Sequence, residues 1–279
     1  MQKESKELLL EKLNEINQWE NEQKDIWFWE KFSRLPFKLL DKITPKFLQD
    51  KIGSAIDEIG NYIHTGGKYL INEKVILQKF TQKGYINGND SSSIMAISEL
   101  PIINMDTISR ELRDNRLTFA GIQGATTGIG GIFTLALDIP FLLGLSLKTL
   151  QEIAICYGYD PNDKNERIFI VKCLQFASSD IVGKQALLEE FESFSTNTQH
   201  AHVFSEIQGW REVVTTYRDN FGWKKLFQMV PIAGVVFGAF INKSMIEEIS
   251  DVGMMLYRKR KIIDRLNQIE NPTNIAEIR

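Results

Sequence analysis

Leu117-Thr-Phe-Ala-Gly121-Ile-Gln-Gly124-Ala-Thr-Thr-Gly128-Ile-Gly-Gly131-Ile-Phe-Thr-Leu-Ala-Leu137 carries no aspartate, glutamate, lysine or arginine, and it sets Gly121, Gly124, Gly128 and Gly131 at three- and four-residue steps. A glycine inside a helix costs about 1 kcal/mol relative to alanine. Four on one helical face therefore predict a compensating gain, which is close helix-to-helix approach. A second charge-free stretch, Leu226 to Asn242, places Gly234, Gly238 and Asn242 at four-residue steps. In water such faces serve tight core packing; in a bilayer they drive helix association, because lipid tails leave packing to do that work. The first stretch has the length to span a hydrocarbon core, but Thr118, Gln123, Thr126, Thr127 and Thr134 make it poorly hydrophobic. Burial, conditional insertion and spanning all stay open on these residues.

Outward from that stretch the chain reads as all-α, a multi-helix bundle with a glycine-rich apolar helical hairpin. Leu8, Leu9, Leu13, Ile16, Trp19, Ile26 and Trp29 recur at helical spacing over about residues 4–32. Thr44-Pro45 opens a helix that Gly66-Gly67 stops, and a short helix is expected over 68–83. Asp106 is expected to cap the long helix that runs into the glycine stretch. Asp138-Ile-Pro140 is read as a break, with Asp138 the N-cap of a helix that ends at Tyr157 before a left-handed Gly158. Asp160-Pro161 repeats the cap-then-proline signal and opens a helix reaching Ser193. Pro231 starts the last apolar helix, and a charged amphipathic one follows over 243–266. The whole of 1–279 reads as one domain, with Gly84 to Ser93 the single candidate boundary.

With 43% hydrophobic and 25% charged residues, the 279-residue chain has the composition of a folded core. A formal charge of -3 and a pI near 5.8 give no basic field, so no nucleic-acid partner is expected. Cys156 and Cys173 lie among apolar residues without ligand spacing. The charged start Met1-Gln-Lys-Glu-Ser5 does not read as a secretory leader. Both features predict a cytoplasmic location, peripheral to the inner face of the cell membrane. Trp27, Phe28 and Trp29 among lysines and arginines form the mixture a headgroup boundary takes. The run Arg258-Lys259-Arg260-Lys261 matches an anionic lipid surface.

Candidate chemistry is thin. Asp138 beside apolar helices needs a partner or a cap, and the cap satisfies it. Glu166 and Arg167 read as a solvated face or as a tie to a neighbouring helix. His200-Ala-His202 is the closest histidine pair, yet no acid or cysteine completes a metal pattern, so no metal and no cofactor is assigned. Gly144-Leu-Ser146 lacks the second glycine of a nucleophile elbow. Gly67-Lys68 is followed by Tyr69 where a phosphate loop needs serine or threonine.

Gly124-Ala-Thr-Thr-Gly-Ile-Gly-Gly131, Asp138-Ile-Pro140, Ile155-Cys-Tyr-Gly-Tyr-Asp160-Pro161 and Pro231-Ile-Ala-Gly-Val-Val-Phe-Gly238, continuing to Tyr257-Arg258-Lys259-Arg260, stand in an order that resembles the EcsC protein family of bacteria. The match runs from near residue 10 to near residue 262. The resemblance implies a link to an ABC transporter, beside whose genes the family's namesake lies, and draws attention to Tyr157, Tyr159 and Asp160. It brings a hydrolase label without a catalytic motif. The expectation is therefore a non-enzymatic accessory or interaction protein at the cytoplasmic membrane surface, meeting that surface or a membrane protein. The alternative is a soluble hydrolase built from Asp138, Tyr157, Asp160, Glu166, Arg167 or the histidines.

Overall fold

The computed structural model describes residues 4–24, 57–66, 71–87, 93–127, 132–179, 181–196 and 234–270; for 124–127, 132–140, 181–183, 192–196 and 234–241 the backbone alone is described. All nine elements among the described residues are helices: α1 (Lys6–Lys24), α2 (57–65), α3 (Glu73–Gln82), α4 (Ile94–Ser98), α5 (Ile102–Thr127), α6 (Ile132–Cys156), α7 (Lys164–Ser178), α8 (Ile181–Thr196) and α9 (Gly234–Glu270). The expected all-α bundle is what forms.

Local chemistry explains most helix ends. Asn72 and Ser93 cap α3 and α4, each side-chain oxygen accepting from the backbone N–H two residues on, at 3.2 and 3.1 Å. Gly66 and Gly158 take φ of +77° and +80°, as the sequence predicts for two helix stops. At Gly158 the turn is a Schellman motif: Gly158 N–H donates to Ile155 O at 2.9 Å and Tyr159 N–H to Ala154 O at 3.0 Å. A Cβ there would stand 2.6 Å from the Ser98 Cα. That backbone contact docks the end of α6 on α4.

Five boundaries differ from the sequence reading. α6 runs unbroken through Asp138 and Pro140, so Asp138 is not an N-cap. Proline removes one helical hydrogen bond, and the apolar turns on either side of it in sequence hold the helix without that bond. Asp106 does not cap α5, which begins at Ile102 with its N–H donating to Glu4 Oε1 at 3.0 Å. The cap of α7 is Asp163, which accepts from Asn165 N–H at 2.7 Å, while the Asp160 carboxylate turns back to Asn162 N–H at 2.8 Å. The expected single helix over 160–193 is two, α7, which ends with Ser179 as its C-cap, and α8 from Ile181. The apolar start over 234–242 and the charged segment after it are instead one helix, α9.

α9 is the axis of the bundle and packs on α5, α6, α7 and α1. Its direction relative to α5 follows from paired residues. Asp106 meets Arg258, Arg113 meets Asp251 and Glu247, and Leu117 with Ala120 meet Ile246, so one sequence climbs as the other descends. α6 is antiparallel to α5 by the same test, with Tyr157 on Asp106, Glu152 on Arg116 and Phe141 on Phe119. The main core draws on α1, on residues 59–63, and on α3, α5, α6, α7, α8 and α9; a small second cluster of Leu117, Ala120, Leu145 and Ile246 lies toward the other end. One close contact was not foreseen. A Cβ on Gly253 of α9 would stand 2.7 Å from Leu150 Cδ2 of α6.

Candidate functional site

At the end of the bundle where Tyr157 closes α6, ionisable side chains form a buried chain. Tyr157 donates its hydroxyl hydrogen to Asp106 Oδ1 at 2.7 Å. Arg258 Nε stands 3.4 Å from the other Asp106 oxygen and reaches on to Glu15 at 3.2 Å. The Tyr157 ring stacks on Tyr257 with centroids 6.3 Å apart. Tyr257 donates to Glu166 Oε1 at 2.5 Å, and Arg260 donates to Glu166 Oε2 at 2.9 Å. The Arg260 guanidinium lies over the rings of Tyr159 (4.1 Å) and Phe169 (4.9 Å), and Tyr159 donates to Asp264 at 2.7 Å.

Burial sets the electrostatics. Glu166 is 5% exposed, and loss of hydration lifts its carboxyl above the ordinary range although Arg260 and Tyr257 pull it back. Tyr157 and Tyr257 are pushed well above theirs, first by burial and then by the carboxylates beside them, so both stay neutral donors. Lys261 is pushed down to about 8 by burial, with the Arg265 charge adding to it. In this network Asp106, Glu166, Asp264 and Glu15 each accept from a tyrosine or an arginine. The arrangement can hold α1, α5, α6, α7 and α9 in register; it presents no oxygen or nitrogen in the pattern of a nucleophile with its base.

The predicted site residues part company here. Tyr157 and Glu166 belong to the chain through the stacked tyrosines. Glu166 is a tie between helices, not a solvated face. Arg167 is a second tie, donating to Ile63 O at 2.9 Å and to Asn162 O at 2.5 Å. Asp160 stays outside the chain, in its own turn. Only the backbone of Asp138 is described, and Trp27, Phe28, Trp29, His200 and His202 lie outside the described residues. Among the described residues no three His, Cys, Asp or Glu side chains converge as metal ligands.

The basic run at 258–261, read from the sequence as matching an anionic lipid surface, has partners within the bundle. Arg258 turns to Asp106 and Glu15, Lys259 to both oxygens of Glu20 at 2.8 Å, and Arg260 to Glu166; Lys261 lies 5.2 Å over the Tyr159 ring. Asp106 and Tyr257 were missed as site residues. The signal was present in the sequence, since Tyr257 and Arg260 sit at inward helical positions after Val252 and Leu256.

The opposite end has the contrary chemistry. The antiparallel register brings the last turns of α5, the first turn of α6 and the start of α9 to one end, and these are the described parts of the two stretches without charge. Phe119 (48% exposed) and Ile122 (62%) stand at its surface one helical turn apart. Gly121 between them has nothing within 4 Å of a Cβ position among the described residues, so its face is open. Asn242, 4% exposed, lies one turn before Ile246, and its amide nitrogen has no hydrogen-bond partner among the described residues. Gly238 and Gly234 continue that stripe by one and two turns, while Gly124 lies one turn beyond Ala120 on α5; Gly128 and Gly131 lie outside the described residues.

A family model described as the EcsC protein family matches residues 10–262, which take in the Tyr157-Gly-Tyr-Asp-Pro161 turn and the Arg258-Lys-Arg260 run. The chain belongs to the EcsC family. It is similar to the uncharacterized protein YdbA of Bacillus subtilis, 54% identical over 97% of this chain and 98% of that protein. It is also similar to the protein EcsC of Bacillus subtilis, 26% identical over 77% of this chain and 84% of that protein. No solved structure matches. In this EcsC-family chain the matched region takes in both ends of the bundle, from Leu10 of α1 to Ile262 of α9.

Proposed function

We propose that this EcsC-family protein acts at the cytoplasmic face of the cell membrane as a non-enzymatic accessory protein, meeting the membrane or a membrane protein with its uncharged end. The observation that carries this reading is the gathering of the two charge-free stretches at one end, with Phe119 and Ile122 exposed on it. An end lined by Asp, Glu, Lys or Arg would have to strip water from those charges to meet hydrocarbon; from Leu117 to Leu137 and from Leu226 to Asn242 the sequence has none to strip. No helix among the described residues is long and apolar enough to cross a membrane. The reading is therefore one of contact. The buried tyrosine and carboxylate chain supports the non-enzymatic half, its carboxylates being engaged by protein donors. A transporter as the membrane partner is what the family resemblance implies.

Cell fractionation of the native chain against Phe119→Glu/Ile122→Glu tests the proposal. The native protein is expected in the membrane pellet and to stay there at high salt, which screens charges but not apolar contact, and the double variant in the soluble fraction with its thermal unfolding unchanged. A native protein wholly in the soluble fraction overturns it.

A further inference from the structure

Asn242 is an anomaly in the seam between the start of α9 and the α5–α6 pair. It is buried, it shares a stripe with Gly234, Gly238 and Ile246, and its amide nitrogen has no acceptor among the described residues. A buried donor without a partner penalises the closed arrangement that buries it. The same segment is weak as a helix, because glycine at 234 and 238 lowers helix propensity in its first turns. One turn later the helix is clamped: Arg113 holds Glu247 and Asp251 at 3.0 and 2.8 Å, and Lys184 holds Glu248 at 3.3 Å. The boundary between a weakly held segment and an ionic clamp falls between Asn242 and Glu247.

We propose that this seam is a joint that opens on the interfacial zone of a lipid bilayer, with the Asn242 amide gaining lipid ester carbonyls and water as acceptors. The inference rests on the membrane-face reading above and narrows its partner to lipid. Closed, the seam buries Leu117, Ala120, Leu145 and Ile246 against one another and leaves the amide orphaned. Open, those apolar side chains need hydrocarbon to cover them, and the amide at the level of the headgroups finds acceptors. The rim supplies the first contact through Phe119 and Ile122. The segment past Glu247 stays docked, so the bundle keeps its main core while its end spreads.

Two measurements on the purified full chain test this, using protein-free vesicles of phosphatidylglycerol and phosphatidylcholine. Asn242→Leu is expected to raise the Tm by about 3 °C and to weaken vesicle binding about tenfold. Hydrogen exchange of the native chain is expected to show amides 242–246 protected in buffer and losing protection on vesicles, with amides beyond 251 unchanged. A lowered Tm in Asn242→Leu would mean that the amide has a partner, a buried water included, and overturns the joint. Unchanged protection at 242–246 on bound vesicles also overturns it. A native chain that pellets with cell membranes but ignores protein-free vesicles overturns the lipid joint while leaving the membrane-face reading intact; a chain that does neither ends both.

Discussion

The hydroxyl of Tyr257 on α9 lies 2.5 Å from Glu166 Oε1 on α7, and it is the donor. Glu166 has one other partner, Arg260, on the remaining oxygen. The pair therefore decides whether a carboxylate buried between two helices is fully paired. Tyr257→Phe keeps the ring and its stacking on Tyr157 but leaves that oxygen without a donor. The expected loss is about 1–3 kcal/mol of unfolding free energy, read by urea denaturation. A loss within error would place the whole burden of pairing on Arg260.

The same carboxylate has a signature in pH. Burial holds Glu166 above the ordinary value of 4.5, so the folded chain binds this proton more tightly than the unfolded chain. Its contribution to stability is then fully present below pH 4.5 and is lost as the pH rises through the higher folded value. Melting curves of the native protein and Glu166→Gln between about pH 4 and about pH 7 are expected to favour the native chain most at the acid end. A native advantage that grows with pH would mean that attraction to Arg260 outweighs burial.

Two glycines with the same backbone sign predict different costs. Gly66 and Gly158 both have positive φ, but around Gly66 the nearest atoms to a Cβ are at 4.0 Å on the Arg167 side chain, while at Gly158 the Ser98 backbone intrudes. Gly66→Ala is expected to cost about 1 kcal/mol for the left-handed conformation alone. Gly158→Ala adds a clash with main chain that cannot rotate away, and should lower the Tm several-fold more. Equal shifts would mean that α4 moves freely from the end of α6.

Gly253 makes the opposite case. Its Cβ would meet only the tip of Leu150 and, at 3.3 Å, Ile153 Cδ1. Gly253→Ala gains about 1 kcal/mol of helix propensity and displaces only flexible ends, so thermal melts should show a change near zero. Gly253→Val adds branched bulk at a packed crossing and is expected to cost about 1–3 kcal/mol. A neutral valine would show that α9 and α6 do not approach closely there.

Helix content and several ends were legible from short-range chemistry. Gly66 and Gly158 end helices because few other residues adopt positive φ cheaply, a property of the residue itself. The caps were less legible because their signals are degenerate: Asp160 and Asp163 both precede a helical pattern, and the choice falls on the one whose carboxylate reaches Asn165 N–H. Pro140 failed as a boundary because the neighbouring apolar turns of α6 hold a helix that lacks one hydrogen bond. Of the candidate site, Tyr157, Glu166 and Arg167 could be picked out by residue type, but their work as ties could not, since Ile63, Asp106 and Tyr257 are remote in sequence.

The sequence by itself determined that the chain is helical, where glycine stops two of its helices, and that two stretches carry no charge. Those properties follow from backbone preference and composition, which act over a few residues. Tertiary structure alone decided that the charge-free stretches share one end, and that Arg258, Lys259 and Arg260 turn inward to Glu15, Asp106, Glu20 and Glu166. The reason is register. Once α5 and α9 pack antiparallel, burial fixes which turns face each other, and each buried cation must then find its carboxylate among residues that no local pattern links to it.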